Sequence, residues 1–529
     1  MDKTKDNLER LQSLVKTLTK IGVALSSEHN LPKLLQMILE QARKFTSADG
    51  GTLYLVSDDK KHLNFEIVQN DSLKIKMGGV SGNPINWKPL NLYINGKPNF
   101  AMVSCYVSLT GEIVNIPDVY YVDGFDFSGT RAFDKNTGYR SKSMLVVPMK
   151  DHEDEIIGVL QLINAIDIET GQVRAFTKDD EELISSLASQ AAVSINNTRL
   201  IRDLENLFES FIQVIATAID EKSPYTAGHI ERVADLTMMI ANKINQVDYP
   251  PFDRLKFSDD ELKELRIAAW MHDIGKIVIP EYVVDKATKL ETIYDRINEI
   301  RWRYEVLKRD IYLKKLMSEY KKENAKKIST EPDIESLNEE LKIIERCNTG
   351  GEILNEDLKN KIRQIAKRKI KIDNKKVNLL NDDEVKNLLV CRGTLTDEER
   401  QIINNHVVVT IKMLNQLPYP KKLKRVPEIA GSHHEKLDGS GYPNGLKEAQ
   451  LSVQARILAL SDIFEALTAR DRPYKPAKKL SEVMRIMEFM AKDRHIDPNL
   501  FELFKKEKIY LDYAKKYLYD WQIDKTDFE

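Results

Sequence analysis

Apolar and polar positions alternate with different periods along the chain. Residues 8–26 carry apolar side chains at helical spacing and predict an entry helix within residues 1–27. Leu31 to Phe45 repeats that pattern as a second helix. The runs GGTLYLVSDD, HLNFEIVQ, SMLVVPMKD and DEIIGVLQLINAI are short, rich in β-branched residues and bounded by turn residues, so they read as strands. After Phe176 the helical period returns. Helix, strands, helix across residues 28–198 predicts an α+β domain built on an antiparallel sheet.

From Asp180 the helical signal runs almost unbroken to Ile219. Leu200, Leu204, Leu207, Phe211, Val214 and Ala218 step alternately by four and three, the spacing of a coiled-coil seam. Residues 199–222 are therefore expected to form a linker helix that pairs two chains, with an ordinary packed helix as the alternative. Residues 291–392 hold a second ladder at Ile293, Ile297, Ile300, Tyr304, Leu307 and Ile311, and a third at Ile334, Leu337, Leu341 and Ile344. Both lie among Lys, Arg and Glu, which predicts two antiparallel charged helices in a coiled-coil-like insertion, then a shorter helical piece after Gly350-Gly351. No catalytic pattern falls in this segment. Residues 511–529 read as a C-terminal tail.

Composition narrows the function. At 529 residues the chain exceeds one ordinary core, given about 150 residues per domain, so it is expected to be multidomain. Lys plus Arg number 80 against 82 Asp plus Glu, a net charge of −2 that argues against a nucleic-acid polymer as partner. No apolar run is long enough to cross a bilayer and the start MDKTKDN is polar, so neither membrane nor secretion is expected and the cytoplasm is the default. Cys105, Cys347 and Cys391 are odd in number and widely spaced, which fits neither a disulfide framework nor a zinc ribbon.

Histidine changes the picture. Of nine in the chain, five sit in four segments with other metal-ligand side chains. His229 lies in EKSPYTAGHIERV; His272, Asp273 and Lys276 lie in MHDIGK; His406 ends TDEERQIINNH; His433 and His434 open HHEKLDGSGYP, with Asp462 following in ILALSDIFEAL. Singly each has an ordinary explanation: a packed helical histidine, a hydrogen-bonded His–Asp couple, a tight turn at Gly439 to Pro443, a helix cap at Asp462. Together, imidazoles and carboxylates are the donors that borderline divalent metals require, and the lack of nearby cysteine argues against soft-metal sites. Five histidines and two aspartates exceed one tetrahedral ion but suffice for two that share a bridge. Asp273 is the natural bridge, because a carboxylate has two oxygens.

Two resemblances follow from these segments. TGYRSKSMLVVPM (137–149) followed by IIGVLQLIN (156–164) resembles the central strands of a GAF domain. Members that bind cyclic nucleotides carry an Asn-Lys pair, then Phe, three residues and Asp-Glu. Here Asn164 is followed by Ala165, while Phe176, Asp180 and Glu181 keep the second half. The resemblance thus implies a small-ligand site marked by Asn164, Phe176, Asp180 and Glu181, with the missing lysine speaking against a cyclic nucleotide. A GAF domain used only for dimerisation is the alternative.

HDIGK, HHEKLDGSGYP and RILALSDIFEALTARDRPYKPA resemble the HD-GYP domain of the HD phosphohydrolase superfamily, over residues 205–290 and 393–510. The resemblance implies an all-α domain that opens cyclic di-GMP to pGpG, and onward to GMP, with a hydroxide bridging two divalent ions, iron or manganese. It implies one ion on His229, His272, Asp273 and Asp462 and another on Asp273, His406, His433 and His434. Lys276 would reach the scissile phosphate, Gly441, Tyr442 and Pro443 would shape a substrate loop, and Arg472 and Lys475 would contact the nucleotide. A third ion is not expected, because Ser223 to Gly228 contains no acid. The segment 291–392 departs from the family as an insertion, a candidate lid or docking arm for a partner protein. Two alternatives stand beside this reading: a silent cyclic-dinucleotide or protein adaptor, and a hydrolase of another cyclic dinucleotide such as cyclic GMP-AMP.

Overall fold

The computed structural model describes residues 19–528 except 21, 29, 223–227, 321–330, 352, 373–374 and 470–476. Of the entry helix, residues 22–27 are described and helical; its start lies outside the described residues. The chain divides into two compact units, with the division after Leu207.

The first unit is built on an antiparallel sheet. Helix α1 (Leu31–Thr46), capped by the Asn30 side chain, leads into β1 (Ala48–Val56), β2 (His62–Asn70) and β3 (Ile75–Gly78). Short strands β4 (Leu90–Asn91), β5 (Tyr93–Ile94) and β6 (Lys97–Pro98), helix α2 (Val103–Thr110), β7 (Val114–Ile116) and α3 (Ser128–Thr137) follow. The long strands β8 (Met144–Lys150) and β9 (Ile156–Ile166), then β10 (Val173–Arg174), complete the sheet in the order β3-β2-β1-β9-β8-β7. Both faces are covered, which is why the central strands read as nearly continuous apolar runs. Leu53, Leu55, Leu145, Val147, Leu160 and Leu162 face α1 and the following helix α4 (Lys178–Asp220). Tyr54, Met144, Val146 and Val159 point the other way, into a core shared with α2 and Phe127.

The four residues singled out in the GAF resemblance have local structural duties. Asn164 sits at φ 56°, accepts from Lys142 N and donates to Tyr139 Oη and Arg140 O, so it holds the approach to β8. Phe176 is buried in the core beneath α4. Asp180 accepts from the backbone and hydroxyl of Thr177 and from Arg174, while Asp180 N donates back to Thr177 Oγ1. This is a capping box at the start of α4. Glu181 pairs with Lys178 and accepts from Asn115.

Helix α4 is a single 43-residue helix, so the 199–222 linker is its last part rather than a separate element. The second unit begins within it and continues with α5 (His229–Gln246), α6 (Asp259–Met271), a 3-10 turn (Ile274–Val278) and α7 (Glu281–Val284). The insertion contains α8 (Ile297–Tyr320), α9 (Glu331–Asn348), α10 (Glu356–Ala366), a hairpin of β11 (Lys369–Ile372) with β12 (Lys375–Asn378), and α11 (Asp382–Leu388). The hairpin and α11 correct the expectation of helices followed by one short piece. Each strand of the hairpin is four residues long and only Ile370 is buried, so neither makes an apolar run that stands out in the sequence. Ile297, Ile300, Tyr304, Leu337 and Ile344 are buried as the ladders require, but they join Ile362, Ile370, Leu379 and Leu388 in a separate core. Ile293 precedes α8 and is exposed.

The insertion leaves and re-enters the unit at one place. Thr394 Oγ1 donates to Lys286 O, and the buried Lys286 ammonium pairs with Glu399. Glu399 also completes a capping box with Thr396 at the start of α12 (Asp397–Leu414). The chain continues through α13 (Val426–Gly431), α14 (Val453–Thr468), α15 (Leu480–Lys492), α16 (Pro498–Lys506) and α17 (Ile509–Tyr517). Tyr510, Tyr513 and Ala514 are buried in the main helical core, and Gln522 donates to Thr468 O, so residues 511–522 pack as part of the domain instead of trailing as a tail. The cysteines are free. No described helix is long and apolar enough to cross a membrane.

Asp180→Ala removes the capping box and the Arg174 pair together, so it is expected to lower the stability of the first unit by ~1–2 kcal/mol. Chemical denaturation of the variant checks this.

Candidate metal centre

The candidate ligands come from helix ends and from the middle of two helices. His229 is the first residue of α5. His272 caps the C-terminus of α6, and Asp273 begins the 3-10 turn that carries Lys276. His406 lies in mid α12, His433 and His434 follow the end of α13, and Asp462 projects from α14. Two glycines make this possible. A Cβ on Gly275 would stand 2.0 Å from His406 O, so the HDIGK turn packs directly on the backbone of α12. A Cβ on Gly441 would stand 2.4 Å from Lys436 N, where the GYP loop crosses its own start.

Four of the other six side chains approach Asp273 directly. Its Oδ2 lies 3.5 Å from His229 Nε2 and 3.4 Å from His272 Nε2, and its Oδ1 lies 3.2 Å from His406 Nε2 and 4.0 Å from His433 Nε2. Asp462 Oδ1 approaches His229 Nε2 at 3.4 Å and His272 Nε2 at 3.9 Å. His406, His433 and His434 form a second close group. Tyr442 stacks against His434 with ring centroids 4.8 Å apart. Thus the carboxylate turns one oxygen toward each histidine group. Arg472 and Lys475 lie outside the described residues.

The donors fit divalent ions. His272 Nε2, Asp273 Oδ1, His406 Nε2 and His433 Nε2 are buried without a hydrogen-bond partner. Their separations suit atoms that share an ion at about 2.1 Å from each. The other ring nitrogens are occupied. Nδ1 of His272, His406 and His433 donates to the carbonyl three residues earlier, at 2.7, 2.6 and 2.6 Å from Ala269, Ile403 and Ala430. His229 Nδ1 donates to Glu465, which Arg232 also holds. A proton fixed on Nδ1 leaves the Nε2 lone pair facing the centre.

The electrostatics differ between the halves. Burial opposes charge on His229, but Glu465, Asp273 and Asp462 outweigh it and push its pKa well up. His272 is raised in the same way by Asp273. Burial, with His434 and His272 nearby, holds His433 well below its ordinary value, and burial takes His434 down to about 4. Asp273 stays ionised in spite of burial because Lys276 and His272 face it. The first group therefore concentrates negative potential and the second offers neutral imidazoles. Both suit a cation.

Residue-by-residue reading of the motifs missed Glu465, which stands three positions after Asp462 on the same face of α14. It also missed Thr410, whose hydroxyl donates to His272 O and accepts from Gly275 N. Glu435, buried, accepts from Asn444 N and Leu446 N and so pins the GYP loop. The spacing of Glu465 was the one available signal; the other two emerge only from the packing.

Comparison with known proteins agrees with this division. A GAF domain family model matches residues 30–195, an HD domain model residues 226–366, and a second HD domain model residues 383–500. The break between the HD matches falls inside the insertion. The 3′3′-cGAMP-specific phosphodiesterase 3 of Vibrio cholerae is 27% identical over 306 residues, 57% of this chain and 40% of that protein. A cyclic di-GMP phosphodiesterase of Thermotoga maritima is 39% identical over 119 residues, 22% of this chain and 32% of that protein. The chain thus spans less than half the length of either relative.

Glu465→Ala frees the His229 ring to rotate and change tautomer, so it is expected to weaken metal binding about 10- to 100-fold while the protein stays folded. Titration of the metal-free protein with Mn(II) reads this directly, and unchanged affinity would remove Glu465 from the centre. With ligands on both sides of its insertion and the matched models over the same segments, the chain joins a GAF domain to a C-terminal HD domain.

Proposed function

We propose that this chain is a metal-dependent phosphodiesterase that opens cyclic di-GMP to pGpG, and onward to GMP, under the control of its GAF domain. The observation that carries this reading is Asp273, with one oxygen toward His229 and His272 and the other toward His406 and His433. His229, His272, Asp273 and Asp462 would hold one divalent ion, and Asp273, His406, His433 and His434 the other. Mixed imidazole and carboxylate ligation suits manganese or iron. Bound ions supply Lewis acidity and an acidified water at neutral pH.

The chain's own residues do the rest. Lys276 places a positive charge beside Asp273, where it offsets negative charge building on the non-bridging phosphoryl oxygens. His433 and His434 are held neutral by burial and so remain donors of lone pairs instead of protons. Tyr442, fixed by Gly441 and Glu435, presents a ring next to His434 on which a substrate base can stack. The intact ligand set argues against a silent adaptor. One relative that matches over 306 residues is named 3′3′-cGAMP-specific, so cyclic GMP-AMP is the second substrate to test.

A homodimer through α4 belongs to the same reading. Leu200, Leu204, Leu207, Phe211 and Val214 are between 50% and 66% exposed along one stripe of the helix. Sedimentation is expected to find a dimer that Phe211→Glu converts to monomer; a monomeric wild type would end this part of the proposal.

The activity is tested by anaerobic purification, loading with Mn(II) or Fe(II), and chromatography of cyclic di-GMP and cyclic GMP-AMP incubated side by side. Metal-dependent pGpG is expected from the wild type and none from Asp273→Ala. Faster cleavage of cyclic GMP-AMP would reassign the substrate. Two bound ions without product from either would overturn the enzyme reading in favour of the adaptor.

A further inference from the structure

The turn that carries Lys276 is held from both sides. At its start, Thr410 of α12 accepts from Gly275 N at 3.0 Å and donates to His272 O at 3.1 Å. At its end, the Lys222 ammonium donates to three backbone carbonyls, those of Lys276, Ile277 and Ile279, at 3.1, 2.6 and 2.7 Å. Lys276 O also accepts from Ile279 N, while a cation at the last carbonyls of a helical turn meets both their hydrogen-bonding need and the negative end of the turn's dipole. Lys222 therefore spends all three of its N–H donors on one short stretch of backbone.

Lys222 belongs to the terminal turn of α4: Glu221 N donates to Thr217 O and Lys222 N to Ile219 O. Beside it, Asp220 accepts from Ile230 N, one residue beyond the ligand His229. The end of α4 is thus bonded to the start of α5 and to the Lys276 turn. Neither bond involves a side chain that reaches a metal or a phosphate. Their effect is on where the backbone of those residues stands.

We propose that Lys222 is a positioning residue for Lys276: by clasping the carbonyls of residues 276, 277 and 279 it sets the place of the Lys276 ammonium, and it makes that place depend on the end of α4. A displacement of the last turn of α4 is then passed to the charge that stabilises the reacting phosphate, while the ligands of α12, α13 and α14 stay put. This rests on the phosphodiesterase reading for its effect on rate, but the clasp itself does not.

The test compares Lys222→Met, Lys222→Arg, Lys276→Met and the double variant Lys222→Met/Lys276→Met in the full chain. Lys222→Met is expected to lower kcat by up to about 100-fold, the cost of a small misplacement of a catalytic group, with KM and bound Mn(II) per chain unchanged. Lys222→Arg, which keeps the donors, is expected to restore most of the rate. In the Lys276→Met background, Lys222→Met should cost nothing more, because the two act through one charge. Independent losses that multiply would assign Lys222 a merely structural role and overturn the proposal. Hydrogen exchange without substrate, read on peptides covering 274–282 and 259–271, gives a second readout. Faster exchange confined to the first peptide in Lys222→Met is expected, and unchanged exchange would overturn the clasp. If the wild type cleaves neither cyclic dinucleotide, the phosphodiesterase reading fails, and the exchange result still decides the clasp.

Discussion

The helical domain is organised around one buried carboxylate. Asp273 is 2% exposed, and a lone charge in such a place costs several kcal/mol of lost hydration. Its surroundings answer that cost from two directions, with His229 and His272 on one oxygen, His406 and His433 on the other, and Lys276 against the first. The histidines come from four separate helices or helix ends. The packing of α5, α6, α12 and α13 is therefore constrained to bring these positions to one point.

Orientation is enforced one layer out. Three of the histidines spend Nδ1 on a carbonyl three residues earlier, a contact that needs no help from distant residues. His229 opens its helix, and its ring is held by Glu465 from α14. Glu465 adds negative charge on the side of His229, while burial holds His433 and His434 below their ordinary values.

The same economy lets the domain carry its insertion. Lys286 and Thr394 meet where the segment departs and returns, and the inserted residues bury their own apolar face in a separate core. Closing a long surface loop costs little more entropy than closing a short one. Just before the insertion, fully buried Lys289 donates to Leu388 O and Val390 O near its end, much as Lys222 serves the Lys276 turn. In both places a lysine borrowed from another element completes the carbonyl end of a short helical turn.

What the sequence determined by itself was period and donor chemistry. The apolar runs of β1, β8 and β9, the helical period of α1 and α4, and the His and Asp types in four segments are local properties, and the structure brings those seven side chains together. Local pattern failed where strands are short and exposed, as in the β11–β12 hairpin, and where a residue's role is set by its neighbour in space. Asp180 shows the limit: the spacing of its motif did not reveal that its carboxylate caps the start of α4. Glu465, Thr410 and Lys222 have no motif of their own. Their duties arise from helices far apart in the chain packing side by side, and only the tertiary structure, by deciding which backbone groups would otherwise be left unpaired, assigned them.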